Sequence, residues 1–150
     1  TVDLPPEEDA PLRQELAAHG LAVIRLATPT TTEKRTETVA DGSSGFVYYV
    51  SVAGVTGAGV GSEVDISAGV ERARRISKLP VAVGFGVRTP EQAAAFARIS
   101  DGVVVGSALV EQVREAVEQG DPASSVKRIS VVAQSLSNAI ALARLERSVS

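Results

Sequence analysis

The chain has 150 residues, 44% of them hydrophobic and 22% charged, and its 15 basic and 18 acidic side chains leave a net charge of −3. That balance excludes intrinsic disorder and gives neither nucleic acid nor an anionic membrane an electrostatic reason to bind. With no Cys and one His there are no disulfides, thiolate or His-rich metal sites, or Cys nucleophile, and 3% aromatics leave little for stacking bases or sugars.

No linker or low-complexity segment divides the chain, so residues 1–150 read as one domain. Nothing resembles a signal peptide or a run of about 20 apolar residues. Met is absent, even at position 1, so a trimmed or partial gene product is expected. Thr1-Val2-Asp3-Leu4-Pro5 reads as the end of a strand, and Asp3 stands where a functional group or a local turn acceptor would. A helix is expected over 6–19, with His19 at its C-terminus and Gly20 past its end. A strand follows over 21–26 (LAVIRL), in which Arg25 requires a carboxylate partner. A Thr-capped helix covers 31–40, and a strand covers 46–51 (FVYYVS), in which Tyr48 and Tyr49 point to opposite faces.

Residues 54–65 (GVTGAGVGSEVD) form a Gly-rich loop. It is neither a Walker loop, lacking Lys-Ser or Lys-Thr, nor the dinucleotide fingerprint, because Ser62 holds the last glycine's place. A loop of this length after a strand is a candidate lid. Helix 66–78 carries Glu71, Arg72, Arg74 and Arg75, expected as a solvated face. A strand at 81–85 leads through Gly84-Phe85-Gly86 to a helix at 90–99 with Thr89 as N-cap and Pro90 at its first position. A strand at 101–106 leads through Gly106-Ser107 into a helix at 108–119. The last helix, 122–147, carries Val126, Ile129, Val132, Ala133, Leu136, Ile140 and Ala143 on one stripe.

Strands apolar at nearly every position, each followed by a helix, describe an α/β fold with a parallel sheet covered on both faces. A doubly wound sheet and part of a (β/α)8 barrel both fit. Four units cannot close a barrel, which needs about 250 residues. The consecutive turns at 84–86 and 106–107 have the composition of a phosphate site, with backbone N–H groups and the Ser107 hydroxyl, rather than Lys or Arg, as the expected donors. No carboxylate pair, Ser-His-Asp set or metal cluster stands out. Lys34, Lys78 and Lys127 all fall in helices or loops, which disfavours a Schiff-base aldolase.

The segments VDLPPEED (2–9), IRLATPTT (24–31), GFVYYVSVAGVTG (45–57), LPVAVGFGVRTPEQ (79–92) and DGVVVGSALV (101–110) resemble the tryptophan synthase alpha subunit family, in order and nearly end to end. The resemblance implies the C-terminal portion of a (β/α)8 TIM barrel, from the end of strand 4 through helix 8. It implies a cytoplasmic lyase of tryptophan biosynthesis that cleaves indole-3-glycerol phosphate to indole and glyceraldehyde 3-phosphate. It also implies no cofactor in this subunit, and a PLP-dependent beta subunit as partner in an alpha2beta2 complex. By the same resemblance Tyr48, Gly84, Phe85, Gly86, Gly106 and Ser107 form the substrate and phosphate pocket. Thr56 and Gly57 sit in the closing loop, Val2 and Leu26 wall the indole side, and Asp3 lies near the region that communicates with the partner. The family's glutamate and aspartate belong to its second strand and the segment just after it. No residue here takes those roles, and the chain alone is expected to be inactive. Two other readings stay open: another phosphate-binding barrel enzyme, or a non-catalytic half-barrel that binds phosphate.

Overall fold

A computed structural model describes residues 3–51 and 63–149 of the chain. Helix α1 (Ala10–Ala18) is followed by four strand–helix units: β1 (Arg25–Ala27) with α2 (Glu33–Ala40), β2 (Val47–Val50) with α3 (Glu63–Ser77), β3 (Val81–Gly84) with α4 (Pro90–Ile99), and β4 (Gly102–Val104) with α5 (Ser107–Glu118). A single 3-10 turn, Pro122–Ser124, leads into α6 (Ser125–Val149). The strands form one parallel sheet in the order β1-β2-β3-β4, each beside its neighbour in sequence.

Register sorts the side chains into two layers. Val47 pairs with Val81, and Tyr49 with Val83. These four are at most 1% exposed and face the helices, forming the core with Ile66, Val70, Ala73, Ala93, Phe96 and Leu136. Each such fully buried valine or isoleucine contributes about 1.5–3 kcal/mol of burial. The other set, Leu26, Tyr48, Ala82 and Gly102, lies in one row across the sheet on the opposite face, with Val50, Gly84 and Val104 in a second row nearer the strand ends. Tyr49 reaches so far under α3 that a Cβ on Gly69 would stand 2.7 Å from its ring Cζ. Glycine is therefore required inside that helix despite its cost there of about 1 kcal/mol relative to Ala.

Helix α4 begins and ends where the sequence places it. Thr89 accepts from Gln92 N, while the Gln92 side chain accepts from the backbone N–H groups of Arg88 and Thr89. Elsewhere the boundaries move for identifiable reasons. Helix α1 starts at Ala10 rather than at residue 6, because Glu8 N turns back to Pro5 O and the Asp9 carboxylate is committed elsewhere. β1 is short because Val23 exchanges hydrogen bonds with Ser44 in the loop before β2, leaving ladder pairing to begin at Arg25. On α6, Leu136 and Ala143 are buried and Val132 and Ile140 pack against the core, but Val126 is 72% exposed, outside the apolar stripe assigned to it.

The partner of Arg25 is Asp9. Arg25 Nε donates to Asp9 Oδ2 at 2.8 Å, and its Nη1 reaches the carbonyls of Thr38, Val39 and Asp41 at the end of α2. Both side chains are at most 3% exposed. The basic cluster on α3 is more than a solvated face. Arg72 donates to Thr31 O, Arg75 pairs with Glu33, and Arg74 pairs with Asp101 at the start of β4. His19 is exposed, with Nδ1 against Glu15 O.

Asp101 also accepts from Val81 N at 2.9 Å, which ties β3 to β4 at the end opposite the turns. Burial pushes its carboxyl up, but the Val81 N–H and the Arg74 guanidinium outweigh burial and hold it below its ordinary 3.8. A depressed folded-state value stabilises the fold above the unfolded value and loses that contribution as pH falls through the folded one. Asp101→Asn is therefore expected to lower the melting temperature at pH 7, with a gap to the parent that narrows as pH falls below the ordinary carboxylate range. A gap between the two melting curves that persists undiminished at pH 2.5 would refute this.

Candidate functional site

Parallel pairing puts the carboxyl ends of all four strands on one edge, so the turns after β3 and β4 are neighbours. The register Val50↔Gly84↔Val104 sets Gly84 between two side chains of its own row. Tyr48, from the row below, lays its ring over Gly84. A Cβ there would stand 2.8 Å from Tyr48 Cζ and 2.9 Å from Val104 Cβ. Burial raises the Tyr48 phenol above its ordinary value of 10, so near neutral pH it is a hydroxyl that donates and accepts, not an anion.

Beyond Gly84 the chain turns sharply. Phe85 has φ 88° and Gly86 φ 79°. For glycine this is unstrained. For phenylalanine it costs about 1–3 kcal/mol, and such strain persists only where the surroundings enforce it. Phe85 is also 57% exposed, so its ring stands at the mouth of the site.

The β4–α5 turn is built differently. Gly106 is the residue before the helix, and its carbonyl accepts from Leu109 N at 2.9 Å and Val110 N at 3.2 Å. The N–H groups of Ser107 and Ala108, in the first turn, have no carbonyl four residues back within the helix, as at any helix start. Together with the Ser107 hydroxyl they offer donors where the helix dipole favours an anion. A cavity of about 300 Å³ opens here, lined by Arg88, Ser107, Ala108, Glu111, Gln112 and Val132.

Arg88 was absent from the sequence-based donor set, which counted only residues inside the turns. It stands two positions after Gly86, where the capping box of α4 holds its backbone, and its side chain makes no hydrogen bond among the described residues but acts on Glu111 through its charge. Glu111, in the same cavity, is engaged by Arg114, which holds its carboxyl below the ordinary value. Glu111 therefore stays ionised with Arg114 as its main partner, and Arg88 brings a second cation to the turn region.

The structure thus groups Tyr48, Gly84, Phe85, Gly86, Gly106 and Ser107 at three adjacent strand ends. Leu26 lies one strand further, in register with Tyr48. It also borders a second cavity of about 400 Å³, lined in addition by Asp3, Leu4, Pro5, Pro6, Arg25, Thr31, Arg35 and Val39. Val2, Thr56 and Gly57 lie outside the described residues. A second residue missed by the sequence reading is Ser51, a fully buried serine at the end of β2. In sequence it reads only as the polar boundary of an apolar strand.

No Asp, Glu or His occupies the inner-face positions of the four strands. The three lysines are in α2, directly after α3 and in α6, none at a strand's carboxyl end. Among the described residues no group of three or more His, Cys, Asp or Glu is placed to hold a metal ion. Nor is any helix among them long and apolar enough to cross a membrane. Physically, the edge offers backbone and hydroxyl donors suited to an anion, a tyrosine hydroxyl and an exposed aromatic ring, and among the described residues no acid–base pair lies on it.

Comparison with known proteins identifies the family and the fold. The family model for the tryptophan synthase alpha chain matches residues 1–141. The alpha chain of Caulobacter sp. (strain K31) is 51% identical over 145 residues, which are 97% of this chain and 52% of that protein. The one from Erythrobacter litoralis is 63% identical over 114 residues, 76% of this chain and 44% of its own length. Among solved structures, tryptophan synthase subunit alpha from Legionella pneumophila superposes with a TM-score of 0.79 at 36% identity, covering 93% of this chain and 50% of that one. Tryptophan synthase from M. tuberculosis in an open form gives 0.74 at 32% identity, covering 92% and 48%. The chain spans about half the length of the curated relatives it matches.

Proposed function

Because this chain belongs to the tryptophan synthase alpha chain family, we propose that the protein carrying it cleaves indole-3-glycerol phosphate to indole and glyceraldehyde 3-phosphate, and that this segment supplies the half of the barrel that binds and orients the substrate. The observation that carries the reading is the pair of adjacent strand-end turns, Gly84-Phe85-Gly86 and Gly106-Ser107, on one edge of a parallel sheet with Tyr48 laid across it.

The roles follow from chemistry. The phosphate takes hydrogen bonds from the first-turn N–H groups of α5, the Ser107 hydroxyl and the turn after β3, with Arg88 adding charge. The indole ring packs against Phe85 and Leu26. Tyr48 presents its hydroxyl toward the reacting glycerol carbons. Cleavage requires a base to take the proton of the hydroxyl on the glycerol carbon bonded to the indole ring, rupture of that carbon–ring bond as the oxygen becomes the aldehyde carbonyl, and a proton delivered to the ring carbon released. The inner faces of these strands hold no carboxylate or imidazole for either transfer, so in this reading the base and acid come from the family's other half. Val2, Thr56 and Gly57 complete the pocket wall and closing loop in this reading. A PLP-containing beta subunit is the partner in an alpha2beta2 complex, this subunit uses no cofactor, and the location is the cytoplasm.

The test is indole release from indole-3-glycerol phosphate. The complete polypeptide that carries this sequence is expected to release indole. A polypeptide limited to these 150 residues is expected to release none, because binding without acid–base groups gives little rate. Clear turnover by those 150 residues alone would sink the division of labour. A complete polypeptide that binds glycerol phosphate yet never releases indole would favour the non-catalytic phosphate-binding reading.

A further inference from the structure

The sharpest unexplained arrangement at this edge is the bond set around Ser51. Its side chain is fully buried. Its N–H donates to Gly84 O at 2.9 Å, while its hydroxyl lies 3.0 Å from the same carbonyl and 3.3 Å from Phe85 O. Two successive carbonyls thus converge on one hydroxyl.

The consequence is geometric. In a trans peptide the C=O and N–H point in opposite directions. With the carbonyls of Gly84 and Phe85 both drawn toward Ser51, the N–H groups of Phe85 and Gly86 face away from it. Neither N–H has a hydrogen-bond partner among the described residues. The left-handed conformations of Phe85 and Gly86 are the backbone form of this arrangement, and for Phe85 it must be imposed. The Ser51 N–H bond extends the β2–β3 pairing by one step. The hydroxyl's reach to Phe85 O adds nothing to that pairing and acts only on the turn.

We infer that Ser51 is a positioning residue: its hydroxyl sets the peptide planes of the Gly84-Phe85-Gly86 turn so that the Phe85 and Gly86 N–H groups are presented to the substrate's phosphate. This deepens the proposed function and rests on its placement of the phosphate at these turns. Ser51 touches no substrate and works through the backbone of β3.

The experiment compares the complete polypeptide with its Ser51→Ala and Ser51→Cys variants. Inorganic phosphate is titrated by calorimetry and by following the Gly86 amide resonance, and indole release is measured separately. In the parent, phosphate should shift the Gly86 amide. Ser51→Ala keeps the backbone bond to Gly84 O but frees the Phe85 peptide. It should weaken phosphate binding about tenfold and raise KM by a similar factor, with kcat within about threefold and little change in melting temperature. Ser51→Cys, similar in volume and a weaker donor, should fall between parent and Ser51→Ala, and it carries the test if the alanine variant does not fold. Unchanged phosphate affinity in the folded variants, a Gly86 amide that ignores phosphate in the parent, or a loss confined to kcat would each overturn the inference. If the parent binds phosphate as described but releases no indole, the lyase reading fails and the role of Ser51 stands.

Discussion

In the complete polypeptide, replacing Gly84 by alanine is expected to lower kcat/KM for the proposed substrate, indole-3-glycerol phosphate, by at least about tenfold, through a collision on the site's own face. The added methyl would meet Tyr48 Cζ at 2.8 Å and Val104 Cβ at 2.9 Å. Val104 belongs to the neighbouring strand and is held by the ladder, so Tyr48 is the group that moves. Moving it displaces the hydroxyl that the proposed function aims at the reacting carbons. The same reasoning makes the two positions non-additive. Tyr48→Ala alone should impair turnover, but in the Gly84→Ala background it should cost less, or recover part of the loss. A double-mutant cycle on kcat/KM measures this, and strictly additive losses would show that the two residues do not constrain each other.

Arg25→Met should produce the largest stability loss of any single change considered, about 3–5 kcal/mol. It strands the Asp9 carboxylate, 1% exposed, with Arg13 Nε at 3.9 Å as the remaining cation paired with it among the described residues. It also removes the donor shared by the carbonyls of Thr38, Val39 and Asp41. Most of that cost comes from the charge left unpaired, so Arg25→Met combined with Asp9→Leu should recover much of it. Urea unfolding of both variants tests this. A single variant within about 1 kcal/mol of the parent, a change small enough for a surface substitution, would refute it.

The architecture was legible because the code for it is local. Val-rich strands, Gly-marked turns and the Thr89-Pro90 helix start are read from neighbours in sequence, and α4 accordingly matches the expectation from end to end. The carboxylate answering Arg25 was foreseen as a type but not as Asp9, because a partner 16 residues away is chosen by how α1 packs on β1. β1 came out shorter because Ser44, a loop residue, takes the bonds that Val23 would have given a strand. At the site, the glycines and Ser107 announced themselves by composition. Ser51 and Arg88 did not: each lies outside the turns, Ser51 at the end of the neighbouring strand β2 with its hydroxyl on the Phe85 carbonyl, and Arg88 before the start of α4 in the cavity that Ser107 lines. Val126 shows the reverse error, a helical stripe extended one turn beyond the surface it covers.

Because every strand lies beside its predecessor, each βα unit needs only the unit made just before it. A ribosome delivers the chain in that same order, at about 5–20 residues per second, so a growing sheet edge is extended within seconds of being exposed. The exception is α6, which packs back over α4 as well as α5. Until it emerges, the face of α4 that it covers has no cover from within these residues, and that interval is when a nascent-chain chaperone would find its binding site.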